Sequence, residues 1–164
     1  MFVLGIDPGL TATGYGIIEA TSNGERAVVA GVIRTDPAQS TANRLLELER
    51  DLAELAAEHP IRAAGVEQVF VNRNLQTAMS VARASGVVLL TLARAGIGVS
   101  EYTPSGVKMA LTGSGRADKD QVQRVVAMRL GLAAPPAPAD AADALAVALC
   151  HLQHVPAVRA GTLP

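Results

Sequence analysis

The chain is short of aromatic residues: they make up 2% of its 164 positions, with two Phe, two Tyr and no Trp. An aromatic side chain in an expected loop therefore stands out, and Phe70 is one. A lone cysteine, Cys150, excludes an internal disulfide and argues for nothing beyond a small core residue, so an oxidising compartment is not implied and a cytoplasmic location is expected. Apolar runs are short. The longest, around Gly86 to Ala93, is interrupted by Thr91 and closed by Arg94, which is too little to span a bilayer, and no membrane association is expected. Met1 leads straight into Phe2-Val3-Leu4-Gly5-Ile6-Asp7 without a basic stretch, so no secretory leader is expected either. Neither a P-loop nor a G-x-G-x-x-G loop is present, and there is no internal repeat. His59, His151 and His154 have no spacing that makes a ligand set and read as helix-surface residues.

The residues that are present describe a globular α/β protein, 49% hydrophobic and 18% charged. One domain over residues 1–155 is expected, followed by a short tail at 156–164. The net charge of −1 hides a strong asymmetry: residues 1–69 carry −5, and residues 70–130 carry +5. A basic half beside an acidic pocket suits a polyanion held over metal ions, although ordinary solvated helix faces give the same counts.

Residues 2–7 read as a short buried strand closed by the turn signal Asp7-Pro8-Gly9. Strands at 13–19 and 27–33 follow, joined by a hairpin turn at Ser22-Asn23-Gly24-Glu25, which gives three consecutive antiparallel strands. A helix over about 41–59 places Leu45, Leu48, Leu52 and Leu55 on one face and stops before Pro60. Ala63 to Val66 then reads as a strand buried on both faces, as parallel pairing after a helical crossover requires. A second helix at 75–94 has two apolar stripes, one through Leu75, Met79, Ala82, Gly86 and Leu89, the other through Val81, Val88 and Leu92. One stripe covers the sheet; the other is covered by a second copy of the chain or by another layer of the same domain. A strand at 97–102 and helices at about 104–111, 119–130 and 140–153 complete the chain, with Thr112-Gly113-Ser114-Gly115 as a flexible connector and Pro135-Pro136-Ala137-Pro138 as a stiff one. The order implies an α/β fold, a mixed five-stranded sheet of three antiparallel strands and then parallel strands, flanked by helices.

Four carboxylates stand out. Asp7 emerges from the end of the first strand and Glu67 from the end of the expected parallel neighbour, about 4.8 Å away. Asp140 and Asp143 share one helical face at i, i+3. Each also has an ordinary reading: Asp before Pro-Gly opens a turn, and Asp at a helix start caps it or faces the helix dipole. If the fold gathers them, charges 4 Å apart repel by about 4 kcal/mol at an effective dielectric near 20, so cations are needed. Divalent metal with oxygen ligands answers that need, and phosphoryl transfer is its common use.

The segments G-I-D-P-G-L-T-A-T-G-Y-G, V-E-Q-V-F, G-S-G-R-A-D-K-D-Q-V-Q and D-A-A-D-A-L-A-V-A, in this order over about residues 3–152, resemble the RuvC family of Holliday-junction resolvases. The resemblance implies an RNase-H-like fold, a homodimer, and two Mg²⁺ or Mn²⁺ ions held by four carboxylates, which by position match Asp7, Glu67, Asp140 and Asp143. It implies paired symmetric nicks in four-way DNA junctions, during recombination and repair, by two-metal hydrolysis to a 5′-phosphate and a 3′-hydroxyl. Lys108 and Lys119 match family lysines near the scissile phosphate. Phe70 matches a residue that stacks on an unpaired base or wedges the junction, against the alternative that it tucks into the core. Arg73, Arg116 and Arg124 are further candidates for backbone phosphates, and a branch-migration helicase complex is a candidate partner. Three other readings compete: a sugar-kinase or actin-like ATPase, which needs a second such domain; an RNase-H-like nuclease acting on RNA; and a junction-binding relative without catalysis.

Overall fold

The computed structural model describes residues 1–69 and 75–155. Five strands, β1 (Phe2–Asp7), β2 (Ala12–Thr21), β3 (Gly24–Arg34), β4 (Ile61–Glu67) and β5 (Gly98–Tyr102), form one sheet in the order β3-β2-β1-β4-β5. The first three are antiparallel, and β4 and β5 add in parallel. The hairpin between β2 and β3 is tighter than expected, because pairing runs on until Thr21 meets Gly24 and only Ser22 and Asn23 remain to turn. Gly24 takes a φ of +128°, which a side chain would oppose.

α1 (Thr41–Glu58) begins at Ser40, whose hydroxyl accepts from the Asn43 amide at 3.2 Å. With α2 (Leu75–Arg94) it covers one face of the sheet, burying Leu48, Leu52, Val88 and Leu92 against Leu4, Ile6, Ile17 and Val66. The other face carries α3 (Pro104–Thr112), α4 (Lys119–Arg129) and α5 (Ala139–His154). The alternation along β1 serves both layers: Val3 faces α5, and Leu4 and Ile6 face α1 and α2.

α5 is the central helix, with 11 of its 16 residues buried. It lies directly on the sheet backbone because Gly16, Gly5 and Gly65 are register partners across β2, β1 and β4. A Cβ at Gly5 would overlap the Ala144 carbonyl oxygen and the Ala148 amide, and one at Gly65 would lie 2.9 Å from the Cβ of His151. This contact corrects one expectation. His151 is not on the helix surface but 4% exposed, turned toward β4 and β5, where its Nδ1 lies 2.8 Å from the Tyr102 hydroxyl. Burial holds its pKa below the usual histidine value.

A second correction concerns 112–115. Gly113, at φ +76°, ends α3 and donates its amide to the Met109 carbonyl at 2.9 Å, and Ser114 accepts from the Ala117 amide at 3.1 Å. The segment is a hydrogen-bonded turn, not a flexible connector. On α2 the stripe through Val88 and Leu92 faces the sheet, whereas Leu75, Met79 and Leu90 are 64%, 50% and 56% exposed. Among the described residues, no further layer covers that face. α2 has the length and mean hydropathy of a membrane span, yet Ala84, Val88 and Leu92 are fully buried in the core beneath it.

Candidate metal centre

Asp7 ends the central strand, at the edge where β1 turns back into β2. The turn is held by Thr13, 1% exposed, whose hydroxyl donates to the Gly9 carbonyl at 2.6 Å and accepts from the Gly9 amide at 3.2 Å. Asp140 and Asp143 lie in the first turns of α5. The residue before that helix is Pro138, and no side chain caps it, so neither carboxylate is occupied as a cap. Gly14, the register partner of Asp7, lies under the backbone of Asp140; a Cβ there would overlap the Asp140 carbonyl. Close approach of helix and sheet thus carries the two aspartates to the third. Ligand oxygens of Asp7, Asp140 and Asp143 all lie within 4.8 Å of one another.

Glu67 ends β4, the parallel neighbour of β1. It stands outside that tight trio but lines one cavity of about 250 Å³ with Asp143, Lys108 and Lys119. Its pKa rises to about 7, first through burial and then through the charges of Asp7 and Asp143, with Lys119 and Lys108 opposing. Asp7 rises to about 6, again mainly through burial, then through Asp143 and Asp140. Lys119, the first residue of α4, answers part of this charge: its Nζ lies 2.8 Å from Asp143 Oδ2, and that hydrogen bond raises its pKa. The capping box of Asp118 and Gln121 fixes the helix start that presents it. Four carboxylates against two lysines leave an excess of negative charge with only oxygen donors, a set that fits a hard divalent cation.

The remaining candidates lie elsewhere. Arg116 and Arg124 line a separate groove of about 450 Å³ with Ser114, Gln121 and Met128, on the side of α4 opposite Lys119 and Val122. Phe70 and Arg73 lie outside the described residues. Sequence reading missed Thr13, Gly14 and the Tyr102–His151 pair. The alternate glycines at 14 and 16 were a legible signal, since strand residues two apart share a face and two bare positions there mark a close approach.

The family model for crossover junction endodeoxyribonuclease RuvC matches residues 3–151. The chain is 52% identical over 153 residues to crossover junction endodeoxyribonuclease RuvC of Salinispora arenicola (strain CNS-205), covering 93% of this chain and 87% of that protein. It is 48% identical over 158 residues to the protein of the same description from Streptomyces griseus, covering 96% and 78%. In three dimensions it is similar to T. thermophilus RuvC in complex with Holliday junction substrate, with a TM-score of 0.88 and 35% identity over 94% of each chain. The expected fold is borne out: the mixed five-stranded sheet with flanking helices is the RNase-H-like architecture of those structures. With its ordered motifs, its acidic cluster and these likenesses, the chain belongs to the RuvC family of crossover junction endodeoxyribonucleases.

Proposed function

We propose that the chain resolves Holliday junctions: a divalent-metal-dependent endonuclease that makes paired symmetric nicks in four-way DNA during recombination and repair. The observation that carries this reading is the convergence of Asp7, Asp140 and Asp143 within 4.8 Å of one another. These three and Glu67 are the proposed ligands, for two Mg²⁺ or Mn²⁺ ions per site. When bound, such ions activate water and stabilise the departing oxygen, leaving a 5′-phosphate and a 3′-hydroxyl. The carboxylates would bind and orient the cations from three elements, β1, β4 and α5. Lys119 and Lys108, at the same cavity, set positive charge where negative charge develops on the phosphate.

Phe70, three residues past Glu67, is proposed to stack on an unpaired base or wedge the junction, and Arg73 to hold a backbone phosphate. Arg116 and Arg124, across α4 from Lys119, would meet an arm of the junction away from the cut. The uncovered apolar face of α2 supports a homodimer, which would bring two sites to two nicks. Residues 1–155 are the proposed nuclease domain, with 156–164 as a tail, acting in the cytoplasm alongside a branch-migration helicase. Incubation with Mg²⁺ and a panel of four-way DNA junction, plain duplex and structured RNA tests the reading. Paired nicks on the junction alone are expected; cutting of RNA, or tight junction binding without cutting, would overturn it.

A further inference from the structure

The loop that leaves Asp7, residues 8–11, is tied down from the outside as well as by Thr13. Thr35, 5% exposed and just past β3, donates its hydroxyl to the Leu10 carbonyl at 2.5 Å and its amide to the Thr11 carbonyl at 3.2 Å. That hydroxyl also accepts from Arg44 Nε at 2.9 Å, while Arg44 Nη2 donates to the Thr11 hydroxyl at 2.7 Å. Arg44 is anchored in the first turn of α1, its amide donating to the Ser40 carbonyl at 3.0 Å. One guanidinium therefore joins three elements: α1, the end of β3 and the loop after Asp7.

We infer that Arg44 is a positioning residue for the cation site, its fork locking loop 8–11 so that Asp7 stays beside Asp140 and Asp143. The physical need is plain. Three carboxylates with oxygens within 4.8 Å of one another repel, and the strand end carrying Asp7 is the part that is followed by a loop. Without Arg44, the pairing of Asp7 with Gly14 and the hydroxyls of Thr13 and Thr35 are left to oppose that repulsion. A planar, always-charged fork resists it by fixing Nε and Nη2 on two separate acceptors, a spacing that the single nitrogen of a lysine on its flexible stem does not hold rigid. Thr35 is the hub, since its hydroxyl takes one bond from Arg44 and gives one to Leu10.

The inference rests on the reading of the acidic cluster as a divalent-cation site, and the test separates the two. Mn²⁺ alone, without DNA, is titrated into the full chain and free Mn²⁺ is followed by electron paramagnetic resonance, alongside thermal unfolding in EDTA and junction affinity in EDTA. Arg44→Ala and Thr35→Val are each expected to weaken Mn²⁺ binding about 10-fold, as loss of an outer-shell support does. Arg44→Lys should recover less than half of that loss on a logarithmic scale, and the double variant should bind no more weakly than the weaker single one. Unchanged Mn²⁺ affinity in Arg44→Ala, with lower thermal stability or lower junction affinity, would overturn the inference by making Arg44 a plain structural residue or a DNA contact. If Arg44→Ala does not fold, wild-type Mn²⁺ affinity in Arg44→Lys overturns it equally. A wild-type chain that binds no Mn²⁺ would instead sink the cation site itself.

Discussion

Replacing Asp7 with Asn should make the protein inactive and, in EDTA at pH 8, more stable. Burial and the neighbouring charges of Asp143 and Asp140 raise the pKa of Asp7 from 3.8 to about 6. A folded value above the unfolded one means that stability is complete at about pH 4 and below, and is lost as pH rises through about 6. At about 1.4 kcal/mol per pH unit, the ionised carboxylate costs the fold about 3 kcal/mol above neutrality. Asparagine keeps the shape and discards the charge. It also relieves Glu67, on which the Asp7 charge is the second-largest influence after burial. Part of the gain is returned, because Lys119 loses an attractive partner. A net gain of about 1–2 kcal/mol remains, or about 2–8 °C in Tm for a chain of this size. With no Trp to report, circular dichroism is the suitable probe. The gain should shrink at pH 5, where Asp7 is largely protonated, and added Mg²⁺ should raise the Tm of the wild type but not of the variant. Junction cleavage should be lost. A variant no more stable than wild type at pH 8, or equally stabilised at both pH values, would refute the cost that burial and the neighbouring carboxylates place on the Asp7 charge.

Gly5→Ala places a methyl group inside the Ala144 carbonyl and Ala148 amide, so α5 must lift. Overpacking of this kind costs about 1–3 kcal/mol, and a displacement of 1 Å at the carboxylates costs about 100-fold in rate. Single-turnover cleavage at the wild-type rate would show that the helix is not held by that contact. Lys119→Ala should flatten the dependence of log junction affinity on log salt by about 0.9 if the lysine meets one phosphate; fluorescence anisotropy at several salt concentrations reads this, and an unaltered slope removes Lys119 from the contact surface. Met79→Glu, on the exposed face of α2, should convert a dimer to monomers in sedimentation. A wild-type chain that sediments as a monomer would leave that face without its proposed cover.

The element order was readable because its signals are local. Alternation marks Val3 to Ile6 as a strand, the leucines at 45, 48, 52 and 55 mark one helical face, and turns are punctuated by Pro and Gly. Asp7, Glu67, Asp140 and Asp143 were legible as costly charges in apolar settings, and their order along the chain carried the family. Local signals end where distant segments meet. Whether Asp140 caps its helix or faces Asp7 depended on Gly14 lying beneath it, a contact between residues 126 positions apart in number. His151 looked like a surface histidine because helical periodicity says which residues share a face, not what that face rests on; Gly65 decided it. Arg44 carried no signal, since its partners Thr11 and Thr35 become neighbours only when β3 and α1 close on the loop. By itself, then, the sequence determined the strands, the helices and which charges were too costly to leave unanswered, because hydrogen bonding and periodicity act over a few residues. The tertiary structure alone decided which carboxylates stand close enough to share an ion, which helix face stays bare among the described residues and which side chains tie down the loop after Asp7, because those depend on packing between elements that no local pattern specifies.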